Sequence, residues 1–308
     1  MKKLFYSFAI LLLFSAPYYL SAQHIDEKIF TRQYNLAPAH SKDTQYYKME
    51  STLQKHAPDG TIQGTDVYRV YLRCVPTANA SGEDEYTCLR FTFQTNGAAE
   101  LAVPSLANWK YYFSVTTSSV NKKGYLFGID HSKFEHLTDE NGKPLPLENT
   151  FHVYNAFIDF HTMSVFSEKT PKDSGVQNLQ HIGDKIVHSA SFSQPQENLG
   201  SNVESYFKNG EITLYFKGLS RINDKICAII EYDSGKSSFY MLAKLMANME
   251  VPTKGSSHYW GDIYKDLSKG WIQKAILHEV VISETTVPGM NKINSVIERT
   301  IVIKNVKP

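Results

Sequence analysis

The chain has 308 residues, of which 42% are hydrophobic and 20% charged, so it can bury a sizeable core and is neither a disordered tail nor a small disulfide scaffold. Its 32 basic and 31 acidic side chains give a formal net charge of +1 and form no block of like charge. This balance offers no electrostatic footprint for nucleic acid or an anionic membrane surface.

The N-terminus is typical of a secretory signal peptide. Two lysines precede an apolar run from Leu4 to Phe14, and small residues end at Ala22, where a signal peptidase would cleave. We expect residues 1–22 to be removed and the mature chain to be periplasmic, at the cell surface or extracellular. An uncleaved N-terminal anchor is the alternative, and the helix-breaking Pro17 disfavours it. Later apolar runs are interrupted by charge, so we expect no further transmembrane span.

Cys74 and Cys88 are candidates for a disulfide, because an exported protein can keep one. They lie at the facing ends of two strand-like segments, and a bridge would stabilise the fold by about 3 kcal/mol in the chain-entropy model. Strand alternation, however, places Cys74 with Leu72 and Cys88 with Arg90, so the pair needs a bulge to meet. Bridged and free forms both stay open. We expect Cys227, in an apolar run, to be a buried thiol.

The N-terminal half is predicted to be rich in β-structure. Tyr46–Lys55 and Thr65–Cys74 alternate in polarity and flank the turn sequence Pro58-Asp59-Gly60, which is typical of a hairpin. Further turn signals follow at intervals. The segment Thr150–Phe166 carries large apolar groups on both strand faces, which predicts a central, two-sided strand.

A polar stretch from Glu168 to Lys185 without an apolar period predicts a boundary between two β subdomains, residues 23–170 and 171–308. After it, the alternation from Ile212 to Lys217 opens a series of strand-like segments that closes at Ser295–Val306. The predicted fold is mostly β, or β-rich α+β, with antiparallel meanders forming a curved sheet or partial barrel. Phe239–Met249 fits a helix by composition and a strand by its flanking turns, and both stay open.

Asp159 and His161 are the sharpest pair of reactive side chains. On a strand they would share a face, where a carboxylate beside an imidazole could orient a general base. A catalytic site needs a third polar group, for which Asp130, Glu231 and Asp262 are candidates. Because no such group is adjacent in sequence, a hydrogen-bonded structural pair is the favoured interpretation. We identify no metal site and no cofactor motif.

Aromatic clusters suggest a binding surface. Trp109 and Tyr112 lie in one ring-rich segment, and Tyr259 and Trp260 in another. Rings that line a sheet can stack on sugars or bury an acyl chain, although strands also use aromatics simply to fill a core.

In strand pattern, Ile212–Val306 resembles the half-barrel of periplasmic lipoprotein-carrier proteins. The resemblance covers less than a third of the chain and transfers no binding residue. It implies an amphipathic ligand held by apolar burial.

We therefore predict an exported, non-catalytic binding protein with an apolar or aromatic cleft for an amphipathic ligand, lipid-like or glycan. One alternative is a secreted hydrolase that uses Asp159 and His161. Another is a cell-surface assembly or adhesion component, which would expose an apolar patch or a sheet edge.

Overall fold

A computed structural model describes residues 28–77, 83–114, 125–170, 175–188, 192–193, 206–208, 210–246 and 249–308. The chain divides into two units, Met1–Gln33 and Tyr34–Pro308. The described part of the first unit holds a short helix, α1 (Lys28–Thr31). The predicted signal peptide, residues 1–22, lies outside the described residues. All elements named below belong to the second unit.

The second unit is built mainly from antiparallel strands. In chain order they are β1 (Gln45–His56), β2 (Ile62–Val75), β3 (Asp84–Thr95), β4 (Leu101–Ala102), β5 (Trp109–Phe113), β6 (Lys185–His188), β7 (Phe192–Ser193), β8 (Tyr206–Lys208), β9 (Ile212–Ile222), β10 (Lys225–Asp233), β11 (Ser237–Met246), β12 (Met249–Asp266), β13 (Ile272–Thr285) and β14 (Ile293–Val306). A 20-residue helix, α2 (Leu147–Phe166), packs against them.

The strands form one curved sheet in the order β4-β3-β2-β1-β14-β13-β12-β10-β9-β6. Off this path, β5 pairs with β3, β11 with β12 and β8, and β7 with β8. The prediction of a mostly β fold with antiparallel meanders and a curved sheet is confirmed. Strand β1 pairs with β14, so the predicted subdomains 23–170 and 171–308 contribute strands to the same sheet.

The sheet has an inner face, which contacts α2, and an outer face. Strand β12 shows the alternation most clearly: Ser257, Tyr259 and Ile263 are buried on the inner face, whereas His258 and Trp260 are exposed on the outer face. Because successive side chains of a strand point to opposite faces, the same division extends to the cross-strand partners of these residues.

The strand predicted for Thr150–Phe166 is wrong, because this segment forms helix α2. Pro146 precedes the helix, where its missing N–H leaves no helical hydrogen bond unmade. The negative charge of Glu148, in the first turn, interacts favourably with the positive end of the helix dipole. Apolar residues at both alternating positions of a segment fit a two-sided strand, and they equally fit a helix that is buried on most of its sides. Along the helix the buried residues include Val153, Phe157, Phe160, Met163 and Phe166.

The core lies between α2 and the inner face. The ring of Phe157 stacks on Phe91 of β3 with 5.8 Å between centroids. Phe160 meets Tyr47 of β1 edge to face at 5.1 Å. The helix thus crosses several strands and packs against them through aromatic rings.

Of Phe239–Met249, for which the sequence left helix and strand open, residues 247–248 lie outside the described residues, Met249 begins β12 and Phe239–Met246 belongs to strand β11. It pairs with β12 over Ser237–Met246 and with β8 at its start. A segment between two partner strands satisfies its backbone polar groups in the sheet, and this outweighs its helix-favouring composition.

All three cysteines are free and buried. The register pairs Cys74 with Tyr86 and Leu72 with Cys88, with an irregularity between Tyr71 and Leu72. The irregularity that a bridge would need is therefore present, but the Cys74–Cys88 disulfide is not formed in the structure. Cys227 lies in β10 and is fully buried, as expected.

Candidate functional site

Helix α2 contacts one row of cross-strand neighbours on the inner face. In that row Tyr259, Glu279 and Arg299 lie side by side on β12, β13 and β14. The ring of Phe166, at the end of the helix, stacks on Tyr259 with 6.3 Å between centroids. We call these three strand residues the boundary row, because Phe166 and Asp159 join the helix to it.

A buried ion cluster ties the helix to the boundary row. Arg299 Nη1 donates to Asp159 Oδ2 at 2.5 Å, and Arg299 Nε donates to Glu279 Oε2 at 2.7 Å. Burial raises the pKa of Asp159 to about 6 against the opposing effect of Arg299. The guanidinium of Arg299 donates to both carboxylates, so most polar atoms of the cluster have hydrogen-bond partners within the fold.

The predicted pair of Asp159 and His161 is separated by the helix. Residues two apart on a helix point to different sides, and His161 faces a box of aromatic rings. Its Nε2 lies 2.8 Å from the hydroxyl of Tyr111, and burial lowers its pKa to about 3. His161 is therefore a neutral core residue, and the expectation that both side chains project from one strand face is wrong.

The candidate third groups of a hydrolase also lie elsewhere. Asp130 caps a short 3-10 helix by accepting from the backbone N–H of Ser132. Glu231 and Asp262 both contact Lys217 on the outer face, at 2.9 and 3.2 Å. The group that contacts Asp159 is Arg299, which also binds Glu279. The sequence alone did not single out Arg299 or Glu279, because their approach depends on the strand register.

Beyond the boundary row, the inner face carries partly exposed apolar side chains. The next row places Ser257 beside Val281 and Val281 beside Ile297. Farther out, Phe239 pairs with Gly255 and with Phe207 of β8. We call this surface the inner-face strip; its apolar members are Phe207, Phe239, Met241, Val281, Ile293 and Ile297.

The floor of the inner-face strip is made of small residues. A Cβ on Gly255 would lie 2.4 Å from a backbone oxygen and 2.6 Å from the Phe239 ring, so the ring packs closely over this glycine. Hydroxyl pairs sit among the apolar groups: Ser283 and Ser295 are 2.7 Å apart, as Oγ to Oγ. The strip is thus apolar with a few internally paired polar groups.

The strip spans five strands, β8, β11, β12, β13 and β14. At about 4.8 Å between strands it is about 19 Å wide, and three rows of alternate residues make it about 14 Å long. Ile293 is the most accessible apolar member, with 48% of its surface exposed. The sequence signal for this surface is the alternation in polarity of β13 and β14, which continues on the strip side of the boundary row.

A small cavity lies near the end of α2. His40, Asp84, Glu168 and Trp271 are among the residues that line its volume of about 20 Å³, which suffices for a water molecule but not for a lipid. Glu168 Oε1 lies 3.0 Å from His40 Nε2 and accepts from the buried Lys265 Nζ at 2.9 Å. Burial would raise the pKa of Glu168, but Lys265 and His40 outweigh it and lower the pKa.

The four aromatic residues predicted to bind a ligand do not converge. Trp109 packs inside against Tyr111 and Phe157, at 4.9 and 5.4 Å between centroids, and Tyr259 is buried under α2. Tyr112 and Trp260 lie on the outer face, 46% and 36% exposed. Two of the four are therefore core rings, and the other two are surface rings on separate strands.

The described residues contain neither a metal-binding cluster nor a membrane-spanning helix. No group of three His, Cys, Asp or Glu side chains in these ranges is arranged to hold a metal ion. Within the same ranges, no helix has both the length and the apolar character needed to cross a membrane.

Comparison with known proteins gives no family. No family model matches the chain, and no curated protein matches it. A solved structure described as showing lipid–protein interactions in lipovitellin has a TM-score of 0.38 and 9% identity over 88% of this chain and 26% of that chain. A mutant of Rh. blastica porin has a TM-score of 0.15 and 10% identity over 86% and 99%. At these scores neither likeness assigns a function.

Proposed function

We propose that this chain is an exported, non-catalytic binding protein that holds an amphipathic, lipid-like ligand against the inner-face strip. The observation that supports the proposal is the partly exposed apolar surface past the boundary row. Apolar side chains left in contact with water in one patch are typical of a binding surface. Export itself rests on the signal-peptide pattern of residues 1–22.

The dimensions of the strip suit a long acyl chain. Its width of about 19 Å is close to the length of an extended fatty acyl group. An acyl chain that buries about 300 Å² of apolar area gains about 7.5 kcal/mol before the costs of association. Apolar burial would therefore supply most of the affinity, and the shape of the polar end would matter less.

The polar end of such a ligand would lie at the edge of the strip next to the boundary row. Ser257 lies in the row of Val281 and Ile297, next to the boundary row, and its Oγ is buried without a hydrogen-bond partner among the described residues. An unmade hydrogen bond at a buried hydroxyl costs stability. A ligand hydroxyl, ester or carboxyl oxygen next to Ser257 would supply the missing bond.

The openness of the strip also favours a second candidate, an apolar segment of a partner protein. Ile293 is 48% exposed, so a ligand that covers it would lie on an open part of the sheet. Such a surface is also the form expected of an assembly or adhesion component. The hydrolase that uses Asp159 and His161 is not proposed, because the helix separates the two side chains.

Titration with a fluorescent C16 fatty acid tests the proposal. We expect saturable binding to the wild-type chain and a loss of at least about tenfold in affinity for Ile293→Glu, because a charge would be placed under the acyl chain. Ile282→Glu is the matched control: Ile282 is 56% exposed but lies on the outer face of β13. Equal binding by both variants, or none by the wild type, contradicts the proposal.

A further inference from the structure

The outer face carries an exposed ring cluster that the proposed function does not use. The ring of His258 lies 5.0 Å from that of Trp260, and the ring of His278 lies 5.8 Å from it, as centroid distances. His258 precedes Trp260 by two residues on β12, and His278 is the cross-strand partner of Trp260 on β13. We call these three residues the outer-face ring cluster.

The two histidine rings are held in place by neighbouring side chains. His258 Nε2 lies 3.1 Å from Oδ1 and 3.2 Å from Oδ2 of Asp233, and Asp233 is the partner of Trp260 on β10. His278 Nδ1 lies 3.4 Å from Thr300 Oγ1. Rings fixed in this way lose little conformational entropy when a ligand binds.

The charges around the cluster are mostly negative. Asp233, Glu231 and Asp262 lie on the same face, and the ammonium of Lys217 contacts two of them, Glu231 at 2.9 Å and Asp262 at 3.2 Å. Three carboxylates against one ammonium repel an anionic ligand. Carboxylate oxygens are hydrogen-bond acceptors, so the surroundings favour a neutral ligand that offers many donors.

We propose that the outer-face ring cluster binds a neutral, β-linked oligosaccharide. The face of the Trp260 indole is apolar and electron-rich, which complements the C–H face of a pyranose ring. Hydroxyls at the edge of the sugar donate to Asp233 and accept from the His278 ring. Because His258 and Trp260 are exposed on the outer face, the surface suits a chain whose rings lie flat on the sheet, as those of β-1,4-linked sugars do, more than a small molecule.

Calorimetric titration of the full chain with cellohexaose and chitohexaose tests the proposal. We expect at least one of them to bind, and Trp260→Ala to weaken this binding by at least about tenfold. Tyr112→Ala is the matched control, since Tyr112 is an exposed ring on the outer face of β5. We expect Tyr112→Ala and Ile293→Glu to bind the sugar as the wild type does, which separates this site from the inner-face strip.

Four results would overturn the proposal. The first is the absence of binding by both oligosaccharides up to about 10 mM. The second is binding that Trp260→Ala leaves unchanged. The third is preferential binding of the anionic polygalacturonate. Light scattering on the wild type and Trp260→Ala completes the test: self-association that requires Trp260 would make a second copy of the chain the occupant, and would likewise overturn the proposal.

Discussion

Asp159 of helix α2 and Arg299 of strand β14 form an ion pair with 2.5 Å between Oδ2 and Nη1, although 140 residues separate them in the chain. Glu279 of β13 binds the same guanidinium. The side chains of Arg299 and Asp159 are only 13% and 14% exposed. This cluster joins the helix to the sheet at the boundary row.

Removing the guanidinium is expected to destabilise the fold strongly. Arg299→Met keeps an unbranched apolar side chain but leaves Asp159 and Glu279 as buried carboxylates without their cation. Breaking a buried ion pair from one side costs about 3–5 kcal/mol. Urea unfolding of the variant should therefore show a markedly lower midpoint than that of the wild type.

The control for Arg299→Met is an exposed ion pair. Lys269 contacts Asp43, and their side chains are 47% and 58% exposed. Exposed pairs contribute little because water screens them, so Lys269→Ala should leave the urea midpoint almost unchanged. Equal shifts of the urea midpoint by Arg299→Met and Lys269→Ala would show that the cluster does not stabilise the packing of the helix on the sheet.

The buried His161 is expected to make the protein less stable in acid. Its pKa is lowered to about 3 by burial, whereas an unfolded histidine has a pKa of about 6.5. Between these values only the unfolded chain binds the proton, so stability is lost as the pH falls from about 6.5 toward 3. This one group contributes a slope of about 1.4 kcal/mol per pH unit.

His161→Phe should lower the slope by about 1.4 kcal/mol per pH unit, because phenylalanine fits the surrounding rings and does not titrate. Part of the slope should remain, since burial also lowers the pKa of His152 to about 3. The measurement is the free energy of unfolding in urea at several pH values from about 4 to 7. Tyr111→Phe is the control: it removes the hydrogen bond to His161 but keeps the histidine, so the slope should persist. A slope that His161→Phe leaves unchanged would show that His161 is protonated in the folded protein.

The thiols provide a direct chemical test of the structure around β2 and β3. Burial raises the pKa of Cys74, and it raises that of Cys88 to about 12. Because buried neutral thiols are unreactive, Ellman's reagent should not modify these two residues in the native protein. After unfolding without reductant, all three cysteines should react. A single reactive thiol would instead indicate the Cys74–Cys88 bridge.

The strands were largely predictable, whereas α2 was not. Alternation from Ile212 to Lys217 reports directly on a strand with one buried face, and β9 follows it. Phe157 and Phe160, by contrast, belong to a segment that is apolar on most of its sides. Such a segment has neither the period of a half-buried strand nor that of an amphipathic helix, so its pattern fits both.

The residues of the candidate site could not be predicted, because their contacts depend on the strand register, which the sequence pattern does not reveal. Strand β1 pairs with β14, and this long-range pairing decides which side chains lie under α2. Arg299 looks like one more charged residue in an alternating strand until β14 is placed next to β13. The aromatic residues showed the opposite problem: Tyr259 and Trp260 are adjacent in sequence but point to opposite faces.

The most direct measurement of the central claim is mass spectrometry of organic-solvent extracts of the protein, purified after export from its native host. We predict a specific co-purified amphipathic lipid in extracts of the wild type and of Ile282→Glu, and its loss from Ile293→Glu. Extracts of the wild type that contain no lipid, or a lipid that Ile293→Glu retains in full, would contradict the proposal that the inner-face strip is the binding site.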